Sequence, residues 1–415
     1  PPTVLDRSAV GETKPMTFES DVARRRFLAF LAASPMLAAP AAAENGPALI
    51  TSAAQALNVF ELQAVAARTI PPAHYGYLMT GVLDDKTVAI NSQAFGRWGL
   101  RARRLVDVSK VDLTRTILGE TWASPVILSP LGSQRAFHPD GELATARAAG
   151  KRSALQVLST VSSTGIEDVI KARGGPVWYQ VYPTNDFEVT KALVRRADSA
   201  GAGAIVLTLD LLAGGMRRET MQRLAREDTR ECAACHGPAE QRARQFTTRP
   251  MFQGLDMSKV IGVNNPTLTW DYISRIRDVT NKPVLVKGIM TGEDAALALR
   301  HGAQGIVVSN HGGRSEDSLV PTLDVLGEVS RAVRGKAPII VDGGIRRGSD
   351  VFKAMALGAD AVGIGRPYIW GLGAFGQAGV ETAMRLIDEE LRQTMQQAGV
   401  TRLADIRATS LQRLA

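Results

Sequence analysis

From about residue 120 the chain alternates two patterns of apolar and polar positions. Short apolar runs rich in β-branched residues recur at "PVIL" (125–128), "ALQVL" (154–158), "VWYQV" (177–181), "AIVLTL" (204–209), "PVLVK" (283–287), "GIVVS" (305–309), "PIIVD" (338–342) and "AVGIG" (361–365). Runs this continuously apolar suit parallel strands buried on both faces. Between them lie amphipathic stretches of helical length with start and stop signals. "TGEDAALALRHG" opens on Thr291 with early acids and closes at Gly302; "RGSDVFKAMALGAD" opens on Ser349-Asp350 and closes at Gly358. Eight such units in succession predict an α/β fold of the TIM (β/α)8 barrel type rather than an open doubly wound sheet.

The same patterning divides the chain. The barrel is expected over 119–400, preceded by a helical cover over 44–118 and followed by a tail over 401–415. Between the fourth and fifth strands lies a loop over 211–267, far beyond the usual ~12–15-residue limit for unstructured connections. Residues 1–43 read as a targeting region. Arg24 and Arg25 precede Phe27-Leu28 and a modest apolar stretch, and Ala41-Ala42-Ala43 stands before Glu44. That order resembles a bacterial twin-arginine signal, and the expected location is the periplasm. An uncleaved anchor is the other reading, although the stretch is shorter than the ~20 residues needed to span.

Composition narrows the picture only slightly. With 45% hydrophobic and 22% charged residues the chain is an ordinary globular one. Its net charge of +8 is scattered, without basic runs interleaved with aromatics. This argues against nucleic acid and fits small anionic ligands equally well.

In a barrel of this kind chemistry belongs at the C-terminal ends of the strands. Pro130, Ser159, Gln180, Tyr182, Thr208, Asp210, Lys287, His311, Asp342 and Gly365-Arg366 all end or follow predicted strands. "SNHGGR" places His311 three residues before Arg314, which reads either as a turn carrying a surface imidazole or as a general base beside an anion-binding guanidinium; the match of the whole rim favours the second. "VDGGIRRGSD" and "VGIGRP" follow the last two strands, and they supply Gly343, Gly344, Arg346 and Arg366. Glycine lets a backbone approach a ligand closely, and helix-start N–H groups bind phosphate.

These residues resemble those of the FMN-dependent 2-hydroxy-acid oxidases and dehydrogenases, the family of glycolate oxidase and L-lactate dehydrogenase. The likeness runs from about Tyr75 to the C-terminus, through "YGYLMTG", "HPDGELATARAAG", "YQVY", "LTLD", "LVKG", "SNHGGR" and "DGGIRRGSDVFKAMALGADAVGIGRP". It implies FMN as cofactor, a small 2-hydroxy acid as substrate and a homo-oligomer. By the same likeness His311 is the active-site base, oriented by Asp210. Arg314 and Arg218 bind the substrate carboxylate, and Tyr77 and Tyr182 offer it hydroxyl groups. Lys287 stands by the flavin. Pro130, Leu131, Gly132, Ser159, Gln180, Thr208 and Ser309 line the flavin site, and Asp342, Gly343, Gly344, Ile345, Arg346, Gly365 and Arg366 grip its phosphate.

Two departures accompany the likeness. The segment between Asp210 and "RRE" is one residue longer than the family pattern, so Arg217 is an alternative to Arg218. Leu78 and Val161 stand where glycolate oxidase carries Tyr and Trp, which implies a wider, more apolar pocket. Whether electrons leave the substrate carbon as a hydride or through a carbanion is open.

Both cysteines lie in "ECAACHG", within the long loop. Cys232, Cys235 and His236 have the C-x-x-C-H spacing of a haem c attachment site. A disulfide is the second reading, and a metal-binding or reactive pair the third. No other metal-ligand set is evident. With a haem, the electrons of FMN would pass to an external carrier such as a periplasmic cytochrome or quinone-linked acceptor. The alternatives are an oxidase that reduces oxygen and a non-catalytic flavin-binding protein.

Overall fold

The computed structural model describes residues 49–211, 217–227, 248–263 and 265–414. The targeting region and Cys232, Cys235 and His236 lie outside the described residues.

Three helices open the described chain: α1 (Val59–Thr69), α2 (Pro72–Met79) and α3 (Lys86–Gln93). Asn58 caps α1, its side chain accepting from Phe60 N and Glu61 N. A helical cover was expected as far as residue 118, but residues 98–122 contain strands. β1 (Trp98–Leu100) pairs antiparallel with β12 (Leu411–Arg413), so the tail returns to the cover. β2 (Arg115–Ile117) and β3 (Glu120–Trp122) form a hairpin turning at Leu118-Gly119. The hairpin buries Ile117 and Trp122 in the barrel's inner cluster, where Trp122 meets Trp178 edge-on at 5.5 Å. Three-residue strands carry too little alternation to be seen in sequence; the apolar opening of the barrel is what recruits them.

The barrel strands follow in the predicted order: β4 (Val126–Leu128), β5 (Val157–Ser159), β6 (Trp178–Val181), β7 (Ile205–Thr208), β8 (Val284–Ile289), β9 (Gly305–Val308), β10 (Ile339–Asp342) and β11 (Ala361–Ile364). All eight are parallel neighbours in one sheet, with β11 against β4. A bridge between Leu128 and Gln156, with Leu128 N donating to Leu155 O at 2.9 Å, closes the circle.

Alternation along each strand separates two cores. Inward residues such as Ile127, Val157, Trp178, Val206, Leu285, Val307 and Ile340 form one cluster. Their outward neighbours pack under the surrounding helices in a second. Those helices include α4 (Gly141–Lys151), α5 (Ile166–Arg173) and α6 (Phe187–Ser199) before the long loop, and α7 (Glu219–Glu227) within it. After it come α8 (Asp271–Arg277), α9 (Gly292–Arg300), α10 (Thr322–Val333), α11 (Gly348–Ala356) and α12 (Arg366–Ala398). Thr291 caps α9 through Asp294 N, as its sequence suggested. α11 starts slightly earlier than expected, because the Asp350 carboxylate reaches back to Arg346 N and Arg347 N. Among the described residues no helix is long and apolar enough to cross a membrane.

Candidate active site

The parity that builds the inner core also builds the site. Two residues beyond each inward apolar side chain, the same face of the strand emerges at the C-terminal rim, because side chains alternate with period two. Ile127 is thus followed by Ser129, Val157 by Ser159, Trp178 by Gln180, Val206 by Thr208, Leu285 by Lys287, Val307 by Ser309 and Ile340 by Asp342. An apolar layer is capped by a polar one, and its buried groups satisfy each other. Ser159 Oγ donates to Gln180 Oε1 at 3.1 Å, Gln180 Nε2 to Thr208 Oγ1 at 2.8 Å, and Ser309 Oγ to Asp342 Oδ1 at 2.6 Å.

One step further, the strands and their loops converge on a charged cluster. Asp210 accepts from His311 Nδ1 at 2.8 Å on Oδ1 and from Lys287 Nζ at 3.3 Å on Oδ2. Tyr182 Oη lies 3.2 Å from His311 Nε2. Gly288, at φ +107°, lets Asp210 lie this close; a Cβ there would sit 2.7 Å from that of Asp210. His311 is itself left-handed at φ +58°, followed by Gly312 and Gly313 at +65° and +77°. For a residue with a Cβ this conformation costs roughly 1–2 kcal/mol, which the surrounding contacts must offset.

Burial and neighbouring charge set the protonation states. Burial opposes ionisation of Asp210, but His311 and Lys287 outweigh it and hold the carboxyl at about 2. Burial lowers His311 below its ordinary 6.5, and Lys287 and Arg314 add to this against the pull of Asp210. The imidazole is therefore neutral near pH 7. The bond to Asp210 assigns its proton to Nδ1 and leaves the Nε2 lone pair to accept from the Tyr182 hydroxyl. Burial, reinforced by Asp210, raises Tyr182 and keeps its phenol protonated.

Arginines occupy the other walls. Arg314 donates to Tyr77 O at 2.6 Å and Thr80 O at 2.7 Å, and its guanidinium lies 4.6 Å from the Tyr77 ring centroid. Arg218 approaches the same ring at 5.5 Å. Although burial favours the neutral phenol, Arg314 and Arg218 together lower the pKa of Tyr77. Arg217 is exposed, and its carbonyl accepts from Leu83 N at 2.8 Å. Of the two alternatives, Arg218 is the one that faces Tyr77. Arg366 donates to Leu78 O and Gly312 O, and Arg346 lies 5.1 Å from the Trp370 ring. Burial lowers both, Arg346 to about 10 and Arg366 well below its ordinary value.

These groups surround a cavity at the C-terminal mouth of the barrel. Of the expected residues, Tyr77, Pro130, Leu131, Gly132, Tyr182, Lys287, His311, Arg314, Asp342, Gly343, Gly344, Ile345, Arg346, Gly365 and Arg366 line it. Leu78 and Val161 also line it, as expected of an apolar wall. Outside this lining, Asp210 holds His311, Arg218 lies over the Tyr77 ring, and Ser159, Gln180, Thr208 and Ser309 form the buried polar layer below. Sequence reasoning missed Ser129, Gly312 and Gly363 in the lining. Ser129 and Gly363 were legible from strand parity alone. His74 plays no part in the lining; its Nδ1 lies 2.8 Å from Ala136 O.

The cavity fits a bound flavin phosphate and a carboxylate. Among the described residues the guanidinium groups of Arg314, Arg346 and Arg366 form no ion pair with a carboxylate, so anions would neutralise cations already desolvated. Gly343 and Gly344 line the same cavity as Arg346 and Arg366.

A family model described as FMN-dependent dehydrogenase matches residues 66–413. Glycolate oxidase 1 from Zea mays is 40% identical over 361 residues, covering 84% of this chain and 94% of its own. An L-lactate oxidase from Nostoc sp. is 36% identical, covering 86% and 98%. A crystal structure of mandelate oxidase with benzoyl-formic acid superposes with a TM-score of 0.75 at 35% identity, covering 86% and 98%. With the barrel, the cavity and these likenesses in agreement, the chain belongs to the FMN-dependent dehydrogenase family, the group of the 2-hydroxy-acid oxidases.

Proposed function

We propose that this protein oxidises an L-2-hydroxy acid to the corresponding 2-oxo acid with FMN, and that His311 is the base. The observation that carries the reading is a buried neutral imidazole, backed by Asp210, sharing one cavity with guanidinium groups that lack carboxylate partners among the described residues. The activities named for the glycolate, lactate and mandelate oxidases support the same class of substrate.

Each residue has a task in this reading. Gly343, Gly344, Arg346 and Arg366 would hold the phosphate of FMN, with Lys287 beside its ring. When bound, FMN would accept the two electrons that leave the substrate carbon. Arg314, with Arg218 across the Tyr77 ring, would clamp the substrate carboxylate and fix its 2-carbon. His311 Nε2 would take a proton from the substrate while Tyr182, a protonated phenol, holds the oxygen bound to that carbon. The imidazolium so formed would be stabilised by Asp210. Leu78 and Val161 favour a substrate side chain that is apolar and larger than that of glycolate.

The electron acceptor is a finer question. The C-x-x-C-H spacing of Cys232, Cys235 and His236 supports a haem c that passes electrons from FMN to a periplasmic cytochrome or quinone-linked acceptor. The oxidase names of the relatives support direct reaction with oxygen as a second reading. The "RRRFLAF" region supports export to the periplasm.

Purified protein should be yellow, release FMN on denaturation, and bleach anaerobically with an L-2-hydroxy acid. Release of FAD, or no bleaching by any such acid, would refute the assignment. Protein from a host with haem-attachment machinery should give a pyridine haemochrome and haem-sized added mass. Loss of two hydrogens alone would make the pair a disulfide.

A further inference from the structure

The helix α3 buries an unexpected face. Its burial stripe consists of Thr87 and Asn91, at 0% and 2% exposure, while Val88 and Ile90 are only partly covered. Buried polar side chains require partners, and both find them in the segment that follows β9. The Asp317 carboxylate accepts from Thr87 N at 2.6 Å, and Leu319 N donates to Thr87 Oγ1 at 3.0 Å. Asn91 and Asn310 form a reciprocal amide pair, Nδ2 to Oδ1 at 2.9 Å in one direction and 3.0 Å in the other.

Asn310 immediately precedes His311. Its remaining capacity is spent on the same loop: Oδ1 also accepts from Gly313 N at 3.2 Å, and Nδ2 donates to Val320 O at 3.1 Å. The three left-handed residues His311, Gly312 and Gly313 are thus spanned by one amide whose orientation Asn91 holds. The contact admits nothing between its parts. A Cβ on Gly313 would lie 2.7 Å from Val88 N, and one on Gly344 would lie 2.1 Å from Asn91 O. Asn91 therefore stands where the base loop and the phosphate loop both touch the N-terminal cover.

We propose that Asn91 is a positioning residue for the reaction: through Asn310 it holds His311 in the left-handed conformation that aims Nε2 into the cavity. The inference rests on the reading of His311 as base. It separates Asn91 from the substrate anchor, because Arg314 is held by Tyr77 O and Thr80 O, outside the amide pair.

The test uses holoenzyme of wild type, Asn91→Ala, Asn310→Ala and the double variant, with a 2-hydroxy acid that bleaches the wild type. Three quantities are measured: the anaerobic flavin-reduction rate constant with its apparent substrate Kd, the FMN Kd from fluorescence titration of apoprotein, and the Tm. Misplacement of a reacting group by about 1 Å costs up to ~10²-fold, so each single variant should lose about 10- to 100-fold in rate. Both dissociation constants should move less than about threefold, and the double variant should be no slower than the slower single, since the pair acts as a unit. A lowered Tm with an unchanged rate, multiplicative losses, or equal loss of rate, substrate affinity and FMN affinity would overturn the proposal.

If Asn91→Ala fails to fold or retain FMN, Asn91→Asp carries the test. It keeps the shape and one acceptor but sets a carboxylate oxygen against Asn310 Oδ1. Its rate deficit relative to wild type at the same pH should shrink as the pH falls and the carboxyl regains a proton to donate. A deficit independent of pH would count against the role. Wild-type protein that no 2-hydroxy acid reduces would bring down the proposed function, and this inference with it; variants that keep pace with a reducible wild type would remove Asn91 alone.

Discussion

Replacing Asp210 by Asn changes one charge and almost no volume, yet it should disable the site. The two carboxylate oxygens face different donors, His311 Nδ1 at 2.8 Å and Lys287 Nζ at 3.3 Å. An amide has one acceptor, so it can serve only one of them. If its oxygen faces Lys287, its NH2 faces Nδ1 and drives the proton to Nε2, where the base needs a lone pair. If its oxygen faces His311, its NH2 opposes the ammonium. The imidazolium formed during the reaction also loses its counter-charge. Two unit charges about 4 Å apart interact by about 4 kcal/mol at an effective dielectric of ~20. At ~1.4 kcal/mol per tenfold, that corresponds to roughly 10³-fold in rate. The assay is anaerobic stopped-flow bleaching of FMN-loaded Asp210→Asn at saturating substrate. Removing the carboxylate that raises His311's pKa should also displace the acid limb of the pH profile to lower pH. A variant that bleaches within tenfold of wild type, with its acid limb unmoved, would refute this account of Asp210.

Four further outcomes follow from the same geometry. His311→Ala should retain FMN, since the phosphate loops lie on β10 and β11, but lose about 10²–10⁴-fold in anaerobic reduction; undiminished single-turnover bleaching would exclude the base role. Because burial holds His311 below 6.5, wild-type kcat/KM should be level near pH 7 and fall only as the pH drops through that lowered value; a limb above 6.5 would contradict the burial argument. The same depression has a stability consequence: unfolded chains take up a proton that His311 refuses when folded, so the stability of the apoprotein should decline as pH falls below 6.5, and by less in His311→Ala. Gly288→Ala combines φ +107° with a 2.7 Å approach to Asp210 Cβ, and should cost about 1–3 kcal/mol by chemical denaturation along with most of the reduction rate.

The eight strands were legible because a barrel buried on both faces demands continuous apolar runs, and two of the intervening helices carried clear start and stop signals, at Thr291 to Gly302 and at Ser349 to Gly358. The rim was legible for a related reason. Polar residues such as Gln180, Lys287 and Asp342 stand at the ends of apolar strands, where only a site at the barrel mouth accounts for them. The loops bearing Gly343-Gly344 and Gly365-Arg366 were likewise legible as part of the rim from their place after the last two strands, and they line the cavity. The hairpin Arg115–Trp122 escaped notice because its strands are three residues each and are held by the barrel opening rather than by their own pattern. Asn91 escaped notice because a polar residue in a short helix reads as solvent-facing until its partner is known. That partner, Asn310, is 219 residues away in sequence. The choice of Arg218 over Arg217 likewise depends on which guanidinium the fold carries to the Tyr77 ring. Residue types and their periodicity determined the architecture and the inventory of the site. Only the closed barrel, which brings distant strand ends and the N-terminal cover within hydrogen-bonding distance, decided which imidazole nitrogen carries the proton, which charge is buried and which amide pairs with the residue before His311.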